Sequence, residues 1–238
     1  MSEESLRDTE CALTKTELAV FVHELRNALT GIGGYGELLR RPLRQDERRA
    51  ASDGIQLAVA RADALCSVTL GGSLPAEETA SSEPVQLRVL ATRVASEQRV
   101  VTGRTIEVTG DDDVTVMGDE LALARALTNL VDNAAKYSPA DQPIGVSVSL
   151  EASADGSAVA VIEVSDRGPG ILAEQRGRVF ELFARLGRDA ETPGTGLGLA
   201  VVRSVLEAHG GFVRVLDRIG GGAILRAELP AAQPTQRA

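Results

Sequence analysis

Leu18, Val22, Leu25, Leu29, Ile32, Gly36 and Leu39 follow one another at intervals of 4, 3, 4, 3, 4 and 3 residues. That is the spacing of a heptad seam, a stripe along one side of a helix. Thr14-Lys15-Thr16-Glu17 has the form of a capping box and predicts where this helix starts. Arg41-Pro42 stops or turns it, because proline supplies no backbone N–H. A second seam of Ala51, Ile55, Ala58, Ala62 and Leu65 predicts another helix over about 46–70. Two such helices make an antiparallel hairpin with too little core to stand alone. A two-fold homodimer, closing into a four-helix bundle, would cover the remaining apolar faces.

Within the first seam, Gly31-Ile32-Gly33-Gly34-Tyr35-Gly36 has the form G-x-G-x-x-G. It follows a helix and not a strand, which argues against a dinucleotide site. Each glycine costs about 1 kcal/mol in a helix interior. Close helix packing, a bend, or a helix end near Thr30 would each account for them.

The rest of the chain changes character. Residues 1–13 read as a flexible tail, 14–70 as the dimerising hairpin, 71–84 as a linker, 85–230 as a second domain and 231–238 as a tail. Within the second domain, 85–101, 119–137 and 196–209 read as helices. Strands are expected at 105–108 and 114–117 around an Asp-rich turn, and at 144–150 and 158–165 around Asp155-Gly156. Two more, at 212–216 and 223–229, flank Gly220-Gly221-Gly222. The mixture predicts an α+β fold, a two-layer α/β sandwich beside the N-terminal helical hairpin.

Composition narrows the function. Of 238 residues, 43% are hydrophobic but only 3% aromatic, so the core must be Leu, Val, Ile and Ala. The net charge of −9 argues against a nucleic-acid partner. Cys11 and Cys66 share no metal-ligand spacing with a histidine and read as reduced thiols. The acidic N-terminus is not a secretory signal, and no apolar run approaches 18 residues, so no membrane span and a cytoplasmic location are expected.

Two sets of residues carry chemistry. His23, Arg26, Asn27 and Thr30 share a helix face beside the seam, and Glu24 follows the histidine. Neutral imidazole is a nucleophile if a carboxylate takes its other proton. An ordinary polar surface histidine fits the same helix. The second set lies in three segments. Asn129, Asn133, Lys136 and Tyr137 recur at helical spacing, opposite an apolar face of Leu123, Leu127, Leu130 and Ala134. An amide oxygen of Asn133 suits Mg²⁺, Lys136 suits phosphate, and Tyr137 suits a base. Asp166-Arg167-Gly168-Pro169-Gly170 follows a strand. Asp166 can accept from an exocyclic amine, and Gly168 and Gly170 allow close backbone approach. Gly194-Thr195-Gly196-Leu197-Gly198 opens a helix, whose free N–H groups favour phosphate. Phe180 and Phe183, between the last two segments, are candidate anchors of a lid. No Walker-type loop occurs.

In this order, the segments resemble the two-component sensor histidine kinases of the dimerising His-acceptor class, over about residues 14–230. The segment from Phe21 to Asn27 looks like the family's H-box. Those from Asn129 to Tyr137, Asp166 to Gly170, Phe180 to Phe183 and Gly194 to Gly198 look like its N-, G1, F- and G2 boxes. The resemblance implies that ATP is the phosphoryl donor, His23 the acceptor and Glu24 its activating base. Glu24 and Asn27 match the pattern used to dephosphorylate the partner. Asn133 is implied as the Mg²⁺ ligand, Asn129 and Lys136 as phosphate neighbours, Tyr137 as a nucleotide contact and Asp166 as the reader of adenine. Gly194, Thr195, Gly196, Leu197 and Gly198 would hold the phosphate end, and a response-regulator Asp would receive the phosphoryl group.

Rival readings are a phosphorelay protein with an inactive ATP domain, and an ATP-binding regulator of the gyrase-like or anti-sigma-kinase type. Gyrase-like ATPases carry a water-activating Glu where this chain has Asn129. Three departures stand out: Ala28 occupies the place of the usual H-box proline, Leu182 and Ala184 match the F-box loosely, and no sensor domain precedes Thr14. The signal is therefore expected from a separate sensor protein or from a longer chain.

Overall fold

A computed structural model describes residues 15–45, 47–48, 51–52, 54–55, 58–59, 62, 65, 83–153, 156–181, 184 and 196–232; the side chains of 15–20 and of Glu24 lie outside this description. The chain divides into two compact units, Met1–Leu74 and Pro75–Ala238.

In the first unit, α1 is a continuous helix, Lys15–Leu39. It passes through the glycine-rich stretch without ending near Thr30. Every described residue from 45 to 65 is also helical. The two stretches meet at glycines. A Cβ on Gly54 would lie 2.5 Å from the Tyr35 ring, and one on Gly31 would lie 3.6 Å from the Ala58 Cβ. Gly31 thus faces Ala58, and Gly54 faces Tyr35. Close packing against the Tyr35 ring explains Gly54; at Gly31 a Cβ would make only ordinary contact. A Cβ at Gly33, Gly34 or Gly36 would meet nothing within 4 Å, and the structure gives no reason for these three.

The predicted seam is not the line that becomes buried. Ala28 is 4% exposed, whereas Val22 and Leu29 of the seam are 45% and 57% exposed. A helix in a bundle has two neighbours, and a wide apolar stripe in sequence merges the lines facing each. Ala28, at the place of the expected proline, keeps its backbone N–H, and the helix runs on. The expected capping box at Thr14 and the segment 71–82 lie outside the described residues.

The second unit opens with a strand that was expected to be linker and helix start. β1, Glu83–Gln86, pairs antiparallel with β3, Thr115–Gly118. α2, Leu87–Thr102, follows it directly and ends at Gly103 in the left-handed conformation. β2, Ile106–Gly110, does not pair with β3 across the Asp-rich turn as a hairpin would. It lies parallel to β4, Ile144–Ala152. The turn itself explains this: Asp111 donates its N–H to Val148 O at 2.8 Å, and its carboxylate accepts from Leu150 N at 3.1 Å. The turn is therefore tied to β4.

α3, Glu120–Tyr137, starts at the N-cap Asp119, whose carboxylate accepts from the N–H groups of Leu121 and Ala122. β4 and β5, Ala158–Ser165, form the expected antiparallel pair, though Asp155 of the turn lies outside the described residues. Short 3₁₀ turns at Ala173–Gln175 and Arg178–Phe180 precede α4, Gly198–Ala208. β6, Phe212–Asp217, and β7, Ala223–Pro230, complete a five-stranded mixed sheet of order β2-β4-β5-β7-β6. Just beyond β7, Ala231 bridges to Val116 of β3.

Strand alternation separates the two faces of the sheet. Val146, Val148, Ile162, Val164, Leu225 and Leu229 face the helices and are buried with Leu90, Val94, Leu123, Leu127, Leu130 and Leu206. Complete burial of such a side chain contributes about 1.5–3 kcal/mol. The other face carries an ion lattice. Arg226 of β7 holds Glu151 at 2.7 Å, Glu163 at 2.9 Å and Glu228 at 2.7 Å, and Arg214 of β6 reaches Glu228 at 2.5 Å. Arg226 draws the Glu151 carboxyl below its usual range, and the three carboxylates hold the guanidinium still more firmly charged. α+β layering was thus legible in the sequence; the sheet order was not.

Candidate functional site

α3 is the spine of the site. Its apolar residues Leu123, Leu127, Leu130 and Ala134 are buried against the sheet. That orientation leaves Asn129, Asn133 and Tyr137 half-buried and Lys136 exposed. Asn129 and Tyr137 are eight residues apart, roughly 12 Å along the helix axis. Each end of this interval touches a different glycine segment.

At the C-terminal end lies the turn after β5. A Cβ on Gly168 would lie 2.7 Å from the Tyr137 carbonyl oxygen, so only glycine fits. The Arg167 N–H donates to Ser138 Oγ at 3.2 Å, and Ser138 is itself buried. Asp166 is 4% exposed. Its Oδ1 accepts from Gly168 N at 2.6 Å and from Ala223 N at 3.3 Å; no hydrogen bond from the described residues reaches Oδ2. Burial pushes the Asp166 carboxyl above its ordinary value, opposed by these two N–H groups and by Arg218. Gly170 has φ +74°, and a Cβ there would lie 3.2 Å from Gly222 O.

At the other end lies the start of α4. A Cβ on Gly198 would lie 3.1 Å from Asn129 Oδ1, whose own Nδ2 donates to Arg125 O at 3.1 Å. Gly196 has φ +70°, and Leu197, the N-cap, has a buried side chain and makes no side-chain cap bond. Among the described residues no side chain caps the start of this eleven-residue helix, and a helix N-terminus of this kind suits an anion. The helix starts two residues later than expected, and Gly194 and Thr195 lie outside the described residues.

Lys136 is paired with Asp132 one turn back, at 2.5 Å. Asn133 makes no side-chain hydrogen bond to the described residues and presents a free amide, a hard oxygen donor of the kind Mg²⁺ accepts. Phe180, expected as a lid anchor, is 7% exposed and packed into the core beside Val179; Phe183 lies outside the described residues. In the first unit, His23, Arg26, Asn27 and Thr30 are all exposed on α1, as their shared face required.

Residues 118–233 match the family described as histidine kinase-, DNA gyrase B- and HSP90-like ATPase. The solved structure of the mycobacterial sensor histidine kinase MprB is 35% identical, with a TM-score of 0.54, over 64% of this chain and 99% of that one. The chain belongs to the sensor histidine kinases. The full-length kinase ShkA, solved in complex with AMPPNP, superposes over 93% of this chain and 47% of its own, with a TM-score of 0.64 and 28% identity. The histidine-protein kinase/phosphatase MprB of Mycolicibacterium paratuberculosis is 38% identical over 212 residues, 84% of this chain. The chain spans 39% of that relative's length.

As in other members of this kinase family, the second unit is an ATP-binding domain. Several residues that hold its site together were not singled out in the sequence. Gly222 has φ +98°, and a Cβ there would lie 2.0 Å from the Asp166 carbonyl oxygen. Its glycine run had signalled a turn, and nothing local says that the turn backs onto Asp166. Ser138 gave no signal, nor did Arg104, which sits just after α2. His209, the second histidine of the chain, joins α4 to the start of α3.

Proposed function

We propose that this chain is a histidine kinase core that transfers the γ-phosphoryl group of ATP to His23. The observation that carries the reading is that α3 touches both glycine segments, Gly168 beside Tyr137 and Gly198 beside Asn129. These two points on α3 thus meet chemically different segments. A buried carboxylate with Oδ2 free suits the amine of adenine. A helix N-terminus flanked by amides suits the phosphates. Asn133 would hold Mg²⁺, which neutralises phosphate charge when bound. Lys136 exchanges Asp132 for a phosphate oxygen. The remaining glycines and Thr195 of the Gly194–198 segment complete that end.

In the transfer, Glu24 takes the proton from one imidazole nitrogen and the other nitrogen bonds to the γ-phosphorus. The bond from that phosphorus to the bridging oxygen breaks, and ADP leaves. Catalysis is mostly positioning. Exposed Val22 and Leu29 line an open groove on α1 with Leu25, Arg26 and Thr30. That groove supports a homodimer in which two antiparallel helical hairpins close a four-helix bundle. From phosphorylated His23 an Asp of a response regulator collects the group, and Glu24 with Asn27 orients water for the reverse function. A cytoplasmic setting, where ATP is abundant, fits this chemistry.

The test is incubation with γ-labelled ATP. The parent is expected to take up acid-labile, base-stable label, with none in His23→Ala and a large loss in Asn133→Ala. Label that persists in His23→Ala would falsify the assignment of the acceptor. Nucleotide binding without label would favour a relay protein, and release of free phosphate alone would favour an ATPase.

A further inference from the structure

Arg104 lies outside every segment assigned to the nucleotide, yet its guanidinium meets four carbonyl groups at the end of α3. Nη1 donates to Ala135 O at 2.7 Å and Ser138 O at 3.1 Å. Nη2 donates to Pro139 O at 2.6 Å and Gln142 O at 3.0 Å. The last carbonyls of a helix have no partners of their own, and a planar cation with several N–H groups can serve them together. The arrangement gathers the helix end and the 138–142 loop around one group. Arg104 gives up something for it: its Nε–H is buried without a partner among the described residues.

The gathered segment is the seat of the Asp166 turn. Ser138 Oγ accepts the Arg167 N–H, and the Tyr137 carbonyl packs against Gly168. Gly168 N–H in turn holds Asp166 Oδ1. A short chain of contacts therefore runs from Arg104 through 137–138 to the one free oxygen of a buried carboxylate. We propose that Arg104 is a positioning residue for the base end of the site, and that discrimination between purines depends on it. This rests on the reading of Asp166 as the group that meets the exocyclic amine. Arg104 touches no nucleotide. It sets where the Asp166 carboxylate stands relative to Tyr137, and so whether a 6-amino purine is favoured over a 6-oxo purine.

The test is displacement of a fluorescent adenine nucleotide from the full chain by ADP and by inosine diphosphate, which differ in that amine. The ADP preference of the parent is expected to fall about tenfold or more in Arg104→Met, as it does when a hydrogen-bonding site is misplaced. Arg104→Lys keeps a cation but cannot span four carbonyls, and is expected to fall between; it carries the test if the Met variant does not fold. Asp166→Asn is the control and should lose the preference. Equal weakening of both diphosphates in the Arg104 variants, or none, would overturn the proposal while Asp166→Asn still loses the preference. An unchanged preference in Asp166→Asn would overturn the Asp166 reading and the Arg104 proposal together.

Discussion

The backbone N–H of Asp119 donates to Nε2 of His209 at 3.0 Å, across ninety residues of sequence. The other ring nitrogen, Nδ1, lies 2.7 Å from Val205 O. A carbonyl accepts only, so the proton sits on Nδ1 and Nε2 is the acceptor. Asp119 caps α3 and His209 follows α4, so the imidazole ties together the two helices that carry Asn129 and Gly198. Gly118 leaves room for the ring, since a Cβ there would lie 2.4 Å from His209 Cδ2.

His209→Ala should therefore lower unfolding stability by about 1 kcal/mol, the worth of a part-buried hydrogen bond lost with its acceptor. Gly118→Ala should cost a comparable amount by displacing the same ring. Because both act through one contact, the double variant should lose less than the sum. Urea unfolding of the four proteins measures the cycle, and strict additivity would show that the ring does not make this link.

Gly198→Ala separates binding from stability. Alanine favours a helix by about 1 kcal/mol over glycine, so melting of the nucleotide-free protein should hold or rise. The new Cβ must push Asn129 Oδ1 back by a few tenths of an ångström from 3.1 Å. Nucleotide affinity should drop roughly tenfold, as for loss of one well-placed polar contact. Calorimetric titration with ADP beside a thermal melt reads both. Unchanged affinity would remove Asn129 from the phosphate end.

Asp166 predicts an unusual pH response. Its folded carboxyl titrates above the ordinary value, so the ionised form is disfavoured in the native state. The folded protein binds this proton more readily than the unfolded chain. Its penalty is therefore fully present at neutral pH and is relieved as pH falls through the raised value. Asp166→Asn keeps an oxygen for the Gly168 and Ala223 N–H groups and removes the charge. The nucleotide-free variant should be at least as stable as the parent at pH 7, with the gap closing toward pH 4. Denaturant melts across that range measure it, and a variant that is less stable at neutral pH and gains on acidification relative to the parent contradicts the sign.

Residues with local signatures were legible in the sequence. The α3 face of Leu123, Leu127, Leu130 and Ala134 is buried as its spacing required. The β4–β5 pair follows from alternation and a turn glycine. β1 was hidden because Glu83-Pro84-Val85-Gln86 is only four residues long, contains proline and leads straight into a helix. The partner of β2 was hidden because parallel pairing with β4 is nonlocal, and the Asp111–Asp113 turn imitates a hairpin. At the site, Gly168 was legible because its close approach to the Tyr137 carbonyl leaves glycine as the only fit, whereas the Gly220–Gly222 run signalled a turn and not its contact with Asp166. Arg104, Ser138 and His209 did not. Each is an ordinary polar residue whose role depends on carbonyls or N–H groups brought to it from elsewhere in the chain.

The bridge between Val116 and Ala231 has a topological consequence. Ala232 N–H donates to Thr115 O at 2.7 Å, and Thr115 is also the partner of Gln86 in β1. The strand by which the chain enters the ATP-binding unit and the segment by which it leaves are separated by one strand, roughly 10 Å. A few residues would splice them, and new ends opened at the Ser153–Ser157 turn would interrupt no buried strand. Entry to the unit and exit from it are thus neighbours across β3, and the order in which its strands are threaded could be changed there without changing their pairing.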